Sequence, residues 1–163
     1  MGSSKDVKFC DFVVKEAIIP ELEARDRAGV IREMIDSLAK AGAIEADLVE
    51  DLCSEVTKRE MKGTTGFGKG VAVPHGKHPR LQKMVAVVGR SSSGVDFAAL
   101  DKQPVYSFFL LLSPVSDPER HLAAMNVIFS NLQVDMFRKF LRQSDTKQKI
   151  WELLEEVDQS SRV

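Results

Sequence analysis

The run Val105-Tyr106-Ser107-Phe108-Phe109-Leu110-Leu111-Leu112 sets the strongest limit on the fold. A strand wetted on one face alternates apolar and polar residues; a nearly unbroken apolar run needs cover on both faces. This segment is therefore read as a central strand, and the rest of the chain must supply helices for both sides. It has the patterns to do so. Asp26 reads as an N-cap for Val30, Ile31, Met34, Ile35 and Leu38 at helical spacing, and Gly42 stops that run. Asp47 reads as the cap of a second helix carrying Leu48, Val49, Leu52, Cys53 and Val56. Asp117 opens a third, bearing Leu122, Met125, Ile128, Phe129 and Leu132 on its apolar face, and Val134, Phe137, Phe140 and Leu141 form another. Asp145 is expected to start a last helix with Ile150, Trp151, Leu154 and Val157, fraying from about Asp158. Shorter strands are expected at 71–73 and 84–88, and at 17–22 after a short opening helix around Phe12-Val13-Val14. Ser91-Ser92-Ser93-Gly94 reads as a turn. The expectation is one α/β (α+β) domain over residues 1–163, with a core at about 10–157 and a small mixed sheet between helical layers.

Charge narrows the partners. The formal net charge is −1, which gives no electrostatic footprint for nucleic acid or an anionic membrane surface. No apolar run reaches the length of a membrane span, so no membrane insertion is expected. Met1-Gly2-Ser3-Ser4-Lys5 lacks the apolar stretch of a secretory signal. Cys10 and Cys53 are too few for a disulfide framework and read as reduced thiols. Together these point to the cytoplasm.

Chemistry concentrates in Thr64-Thr65-Gly66-Phe67-Gly68-Lys69-Gly70-Val71-Ala72-Val73-Pro74-His75-Gly76. Three glycines in five residues let the backbone bend sharply and approach a ligand. The β-branched run then forms a buried strand, and Pro74, with no N–H for a ladder, is expected to end it. His75 is thus held at a strand end. Many histidines in such turns are inert, and the whole string carries more weight than the Pro-His-Gly alone. Glu60, Phe67, Gly68, Val71, Ala72, Val73, Pro74, His75 and Gly76 fill every specified place of one family signature. The segment resembles the active-site segment of enzyme IIA domains of the bacterial phosphotransferase system, fructose/mannitol type. The resemblance extends over roughly residues 10 to 157.

That resemblance implies a three-layer α/β/α sandwich and a phosphoryl carrier, with His75 as the residue phosphorylated by HPr or an HPr-like phosphocarrier. Imidazole suits the task, because it is neutral near pH 7 and forms a linkage that can be passed on. Arg59 stands where the family has the arginine that steadies the phosphoryl group; its alternative reading is a solvated arginine at a helix end. His121, in the first turn of a helix, matches the second active-site histidine, which hydrogen-bonds the phosphoryl group; its alternative reading is a surface or capping residue. Further donors are expected from the backbone of Gly66, Gly68 and Gly70 as an anion-holding concavity, and from the Thr64 and Thr65 hydroxyls. No metal and no cofactor are expected. His78, between Gly76 and Pro79, reads as an exposed loop residue rather than a ligand. Lys69, Lys77, Arg80 and Lys83 make the surroundings basic, and Met61, Phe67 and Phe97 could form an apolar docking rim.

Three functions compete. Pro74-His75-Gly76-Lys77 resembles the nitrogen-regulatory form, which acts by binding a regulatory target protein. The alternative is a sugar-specific component passing phosphate to a IIB domain. The third is a non-catalytic protein-binding module. Whether the chain is called an enzyme depends on whether transfer through His75 is its task.

Overall fold

The structure, a computed structural model, describes residues 7–160. Four strands, β1 (Val71–Ala72), β2 (His75–His78), β3 (Val85–Val95) and β4 (Val105–Pro114), make one mixed sheet. β4 is central, as its sequence requires. β1 and β2 lie one after the other along one edge of it, both parallel, with Val71 opposite Ser107 and His75 opposite Leu111. β3 lies antiparallel along the other edge, with Val88 opposite Phe109.

Among the described residues six helices cover the sheet: α1 (Phe9–Phe12), α2 (Arg27–Lys40), α3 (Val49–Lys62), α4 (Pro118–Leu132), α5 (Asp135–Gln143) and α6 (Lys147–Ser160). Period-two alternation along the strands sorts the side chains into two cores. Phe108, Leu110 and Leu112 of β4 pack with Val85 and Val87 against α2 and α3. Phe109 and Leu111 pack with Ala86 and Val88 against α1, α4, α5 and α6. All five β4 residues are fully buried. Burying a leucine or phenylalanine stabilises the fold by about 1.5–3 kcal/mol relative to exposure, so one strand anchors both layers.

Several expectations are corrected. Residues 17–22 are not a strand. Val14 N–H donates to Ala86 O and Ile19 N–H to Val88 O, a five-residue step against two on β3. The surplus residues loop out as a 3₁₀ turn over Lys15–Ala17, leaving isolated parallel bridges. Residues 91–94 stay within β3 as a bulge, because four residues lie between Arg90 and Val95 where one lies between their partners Ser107 and Val105. Asp47 caps nothing: it lies in a 3₁₀ turn, Ala46–Leu48, and its carboxylate takes Arg80 instead. Asp26 does cap α2, accepting from Gly29 N–H at 2.7 Å. The oxygen at the start of α6 is Thr146 Oγ1, which accepts from Lys149 N–H, while Asp145 pairs with the Lys149 ammonium. Leu122 and Phe140 are exposed, and Ala123 and Ala124 carry the buried face of α4.

Asp158 does not fray. It is 8% exposed, and its two oxygens accept the Phe9 and Cys10 N–H groups, both at 2.9 Å. Those are unsatisfied donors at the start of α1, so the end of the chain caps its beginning. Both cysteines are free thiols, and burial with the Asp158 carboxylate pushes Cys10 up to about 12. Among the described residues no helix is long and apolar enough to cross a membrane.

Candidate functional site

Where β2 leaves the break at Pro74, α3 crosses it at very close range. A Cβ on Gly76 would lie 2.9 Å from Val56 Cγ2, so any larger residue would force Val56 or α3 to shift. Arg59 and Glu60 follow Val56 by three and four residues and so emerge on the same side of α3. Glu60 is 2% exposed and folds the chain back: its carboxylate accepts from the Thr65 N–H and hydroxyl, both at 2.7 Å. Arg59 donates to Gly63 O at 2.8 Å, which holds its stem across the end of the helix.

Pro74 does not end the edge. Its carbonyl accepts from Leu111 N–H at 3.0 Å, so pairing resumes and His75 begins β2 instead of closing a strand. His75 and Lys77 therefore face the α4 side, while Gly76 and His78 face α3. His78 is not an exposed loop residue. It is 8% exposed and paired opposite Pro114. Its Nδ1 accepts from Arg80 N–H at 3.0 Å, and Nε2 donates to Asp51 at 3.3 Å.

His75 Nδ1 lies 2.8 Å from the Val73 carbonyl. A carbonyl can only accept, so Nδ1 carries the proton and the neutral ring keeps its lone pair on Nε2. Burial lowers the His75 pKa, and Arg59 and Lys77 add to the lowering against the Val73 hydrogen bond and Glu60. His121 sits in the first turn of α4, which Asp117 caps by accepting from Arg120 N–H at 3.2 Å. Its Nδ1 is 2.6 Å from the Ser113 hydroxyl at the end of β4. The two imidazole centroids are 5.7 Å apart. Burial, then His75 and Lys77, pull the His121 pKa down to about 4.

His75, His121 and Arg59 line one cleft of about 710 Å³, together with Lys58, Lys62 and Lys77. Two neutral imidazoles thus face each other among four cationic side chains, an arrangement suited to an anion that bonds to nitrogen. A larger cleft of about 880 Å³ lies between α4 and the end of α6, but neither histidine nor cysteine lines it. Size is a poorer guide than chemistry here. Among the described residues no three His, Cys, Asp or Glu side chains are grouped to hold a metal ion.

Thr64, Thr65, Gly66, Gly68 and Gly70 are not brought into this cleft. Several of their polar groups are taken by protein partners. Thr64 Oγ1 accepts from Gly66 N–H and donates to Phe97 O; Gly66 O takes Leu100 N–H; Gly70 O takes Tyr106 and Ser107 N–H. Gly68 and Gly70 have φ of 114° and 75°, conformations that turn the chain onto β4. In the apolar rim only Met61 is open, at 66% exposure; Phe97 is buried against Phe108, and Phe67 packs on Phe129. Ser113, Lys58 and Lys62 were missed from sequence. A register argument placing Lys77 opposite Ser113 could have found the serine; the lysines needed the position of α3.

Residues 11–157 match the family described as phosphoenolpyruvate-dependent sugar phosphotransferase system, EIIA 2. A nitrogen regulatory protein from Bradyrhizobium diazoefficiens is 35% identical over 88% of this chain and 92% of its own length. A fructose-specific EIIA component from Haloferax volcanii is 31% identical over 87% and 91%. Among solved structures, nitrogen regulatory protein IIA-Ntr from Neisseria meningitidis superimposes with a TM-score of 0.77 at 25% identity, covering 88% of this chain and 97% of that one.

Proposed function

The chain belongs to the EIIA type 2 family of the phosphotransferase system, and from that premise we propose that it carries a phosphoryl group on His75 Nε2 as a regulatory protein of the nitrogen-regulatory kind. The observation that carries this reading is the Nδ1–H···O bond to Val73, which leaves Nε2 unprotonated within a cationic cleft. The Nε2 lone pair attacks the phosphorus of a donor phosphohistidine. The new N–P bond forms as the donor's N–P bond breaks, and the donor nitrogen keeps that electron pair. Onward transfer is the same exchange in reverse. Such a loose, in-line transfer is governed by position and charge.

Arg59 and Lys77 offset the charge of the phosphoryl oxygens. With the Ser113 hydroxyl donating to Nδ1, His121 keeps its proton on Nε2 and offers it to a phosphoryl oxygen. Its low pKa keeps the ring neutral before phosphate arrives, and the dianion then raises that pKa, strengthening the bond as charge accumulates. No metal is assigned a role, because the donors are supplied by side chains. On this reading the donor is an HPr-like phosphocarrier, the site of action is the cytoplasm and the downstream partner is a regulatory target. The Gly76-Lys77 pair after the histidine and the nitrogen regulatory relative favour it. The fructose-specific relative keeps open a second reading, in which phosphate passes to a sugar IIB domain.

The test is phosphorylation from phosphoenolpyruvate through the general kinase and an HPr-like donor. One acid-labile, base-stable phosphate per chain is expected, and none on His75→Ala. A cell-extract capture comparing phosphorylated and unphosphorylated protein separates regulation from transport. Regulation requires a partner that binds the two states differently. A IIB domain that rapidly empties His75 is the mark of transport.

A further inference from the structure

On the flank away from His75, Lys69, Arg90, Arg138, Lys139 and Arg142 surround a cleft of about 620 Å³, with Asp135 as the one acidic residue in its wall. Five cations meet there in a chain whose formal net charge is −1. They come from separate elements: Lys69 from the glycine turn, Arg90 from β3, and the other three from α5.

The floor is made of two arginines held mainly by uncharged acceptors. The Arg90 side chain is 13% exposed, and donates to Arg142 O at 2.7 Å and Pro20 O at 3.0 Å. The Arg138 side chain is 15% exposed and donates to Leu132 O at 2.7 Å. Carbonyl dipoles satisfy the N–H groups but do not cancel a unit charge. Their acidic neighbours are Glu21 at 3.7 Å from Arg90, Asp145, whose charge also acts on Arg90, and Asp135 against Arg138, with side chains 53%, 62% and 89% exposed. Those carboxylates offset part of the arginine charge, but five cations line the cleft against one acidic residue in its wall, so it stays positive. Above it, the Arg142 guanidinium lies 3.5 Å from the Tyr106 ring centroid, which fixes its plane. Among the described residues Lys69, Lys139 and Arg142 have no acidic side chain within ion-pair distance. Asp101 approaches the Lys69 backbone N–H at 3.1 Å, and another of its oxygens accepts from Gln103 N–H.

We propose that this cleft binds a small oligophosphate, either free or carried on a nucleotide. One orthophosphate would leave most of the cations unmatched, whereas two or three linked phosphates match their number. The cleft volume falls in the range of about 300–1,000 Å³ usual for small-ligand sites. Lys69 belongs to the turn that leads into β1 and His75, so occupancy bears directly on the segment that positions the nucleophile. The site is independent of the role assigned to His75.

The test is calorimetric titration of the intact protein with pyrophosphate, orthophosphate and adenosine diphosphate. Pyrophosphate is expected to bind one site at least about tenfold more tightly than orthophosphate, weakening as salt rises. Equal affinity for adenosine diphosphate assigns the site to the phosphates, and higher affinity to a nucleotide. Lys69→Gln with Lys139→Gln, both exposed and uninvolved in packing, should weaken binding about tenfold or more. His75→Ala and Arg59→Ala should leave it unchanged. Absence of saturable pyrophosphate binding, or binding lost in Arg59→Ala but retained in the double lysine variant, overturns the proposal.

Discussion

The glycine turn at 64–70 and the cleft beside it are contiguous in sequence, yet they treat polar groups in opposite ways. In the turn, Thr64, Thr65, the Gly66 and Gly70 carbonyls and the Lys69 N–H all find partners in the protein. In the cleft, His75 Nε2 and the Lys58, Lys62 and Lys77 ammonium groups have none among the described residues. A closed set of hydrogen bonds holds a shape; an open set, held rigid from behind, is available to a ligand. The contrast supports the proposal that the turn serves architecture and the cleft phosphoryl chemistry, although the turn holds the more conspicuous glycines.

The sharpest way to break that contrast is to remove cleft donors. Arg59→Ala and His121→Ala should each slow transfer to His75 by about 10²–10³, the usual cost of losing one preorganised donor. Rapid-quench rates measure this, with thermal unfolding to show an intact fold. Normal rates in both would erase the distinction.

Turn variants should show the reverse. Thr65→Val leaves the buried Glu60 carboxylate short of a donor and should cost about 1–3 kcal/mol in urea unfolding. Transfer by the protein that remains folded should fall far less than in Arg59→Ala. Gly76→Ala sits on the boundary. Its new methyl meets Val56 Cγ2 at 2.9 Å, so about 1–3 kcal/mol of overpacking is expected. Because α3 carries Arg59, transfer should slow as well. A variant with lower stability but unchanged transfer would show that the α3–β2 contact does not set the cleft.

What the sequence made legible follows the range of its signals. The apolar run at 105–112 identified the central strand and the need for two helical layers, because burial on both faces leaves a direct mark on composition. The Pro-His-Gly string picked out His75, the proposed nucleophile, and the wider family resemblance drew Arg59 and His121 to it, which the fold brings into the same cleft. Properties set by pairing were not legible. His78 looked like a loop residue because Gly76 and Pro79 flank it, yet β4 takes the segment as a strand. Asp158 looked like a frayed end, because nothing local announces that it caps α1 across the molecule. The threonines and glycines of the turn were read as anion donors from residue type alone; whether such groups are free depends on partners such as Glu60, Phe97 and β4.

A further expected effect is on pH. Both cleft histidines have folded pKa values below the ordinary 6.5, His121 at about 4. Below pH 6.5 the unfolded chain takes up protons that the native rings refuse, so stability should fall from about pH 6.5 towards 4 and be fully present above 6.5. Urea unfolding across that range should show the slope, and His121→Gln should flatten it. Phosphate acceptance should likewise persist at pH 6.5, where an unperturbed histidine would be half protonated.

The central claim is that one atom, His75 Nε2, carries the phosphoryl group. Nitrogen-15 NMR of the phosphorylated protein, labelled in its histidine rings, tests it most directly. Phosphorus coupling to His75 Nε2, with Nδ1 still protonated, is the result expected from the bond to Val73. Coupling to His75 Nδ1, or to either nitrogen of His121, would contradict the account.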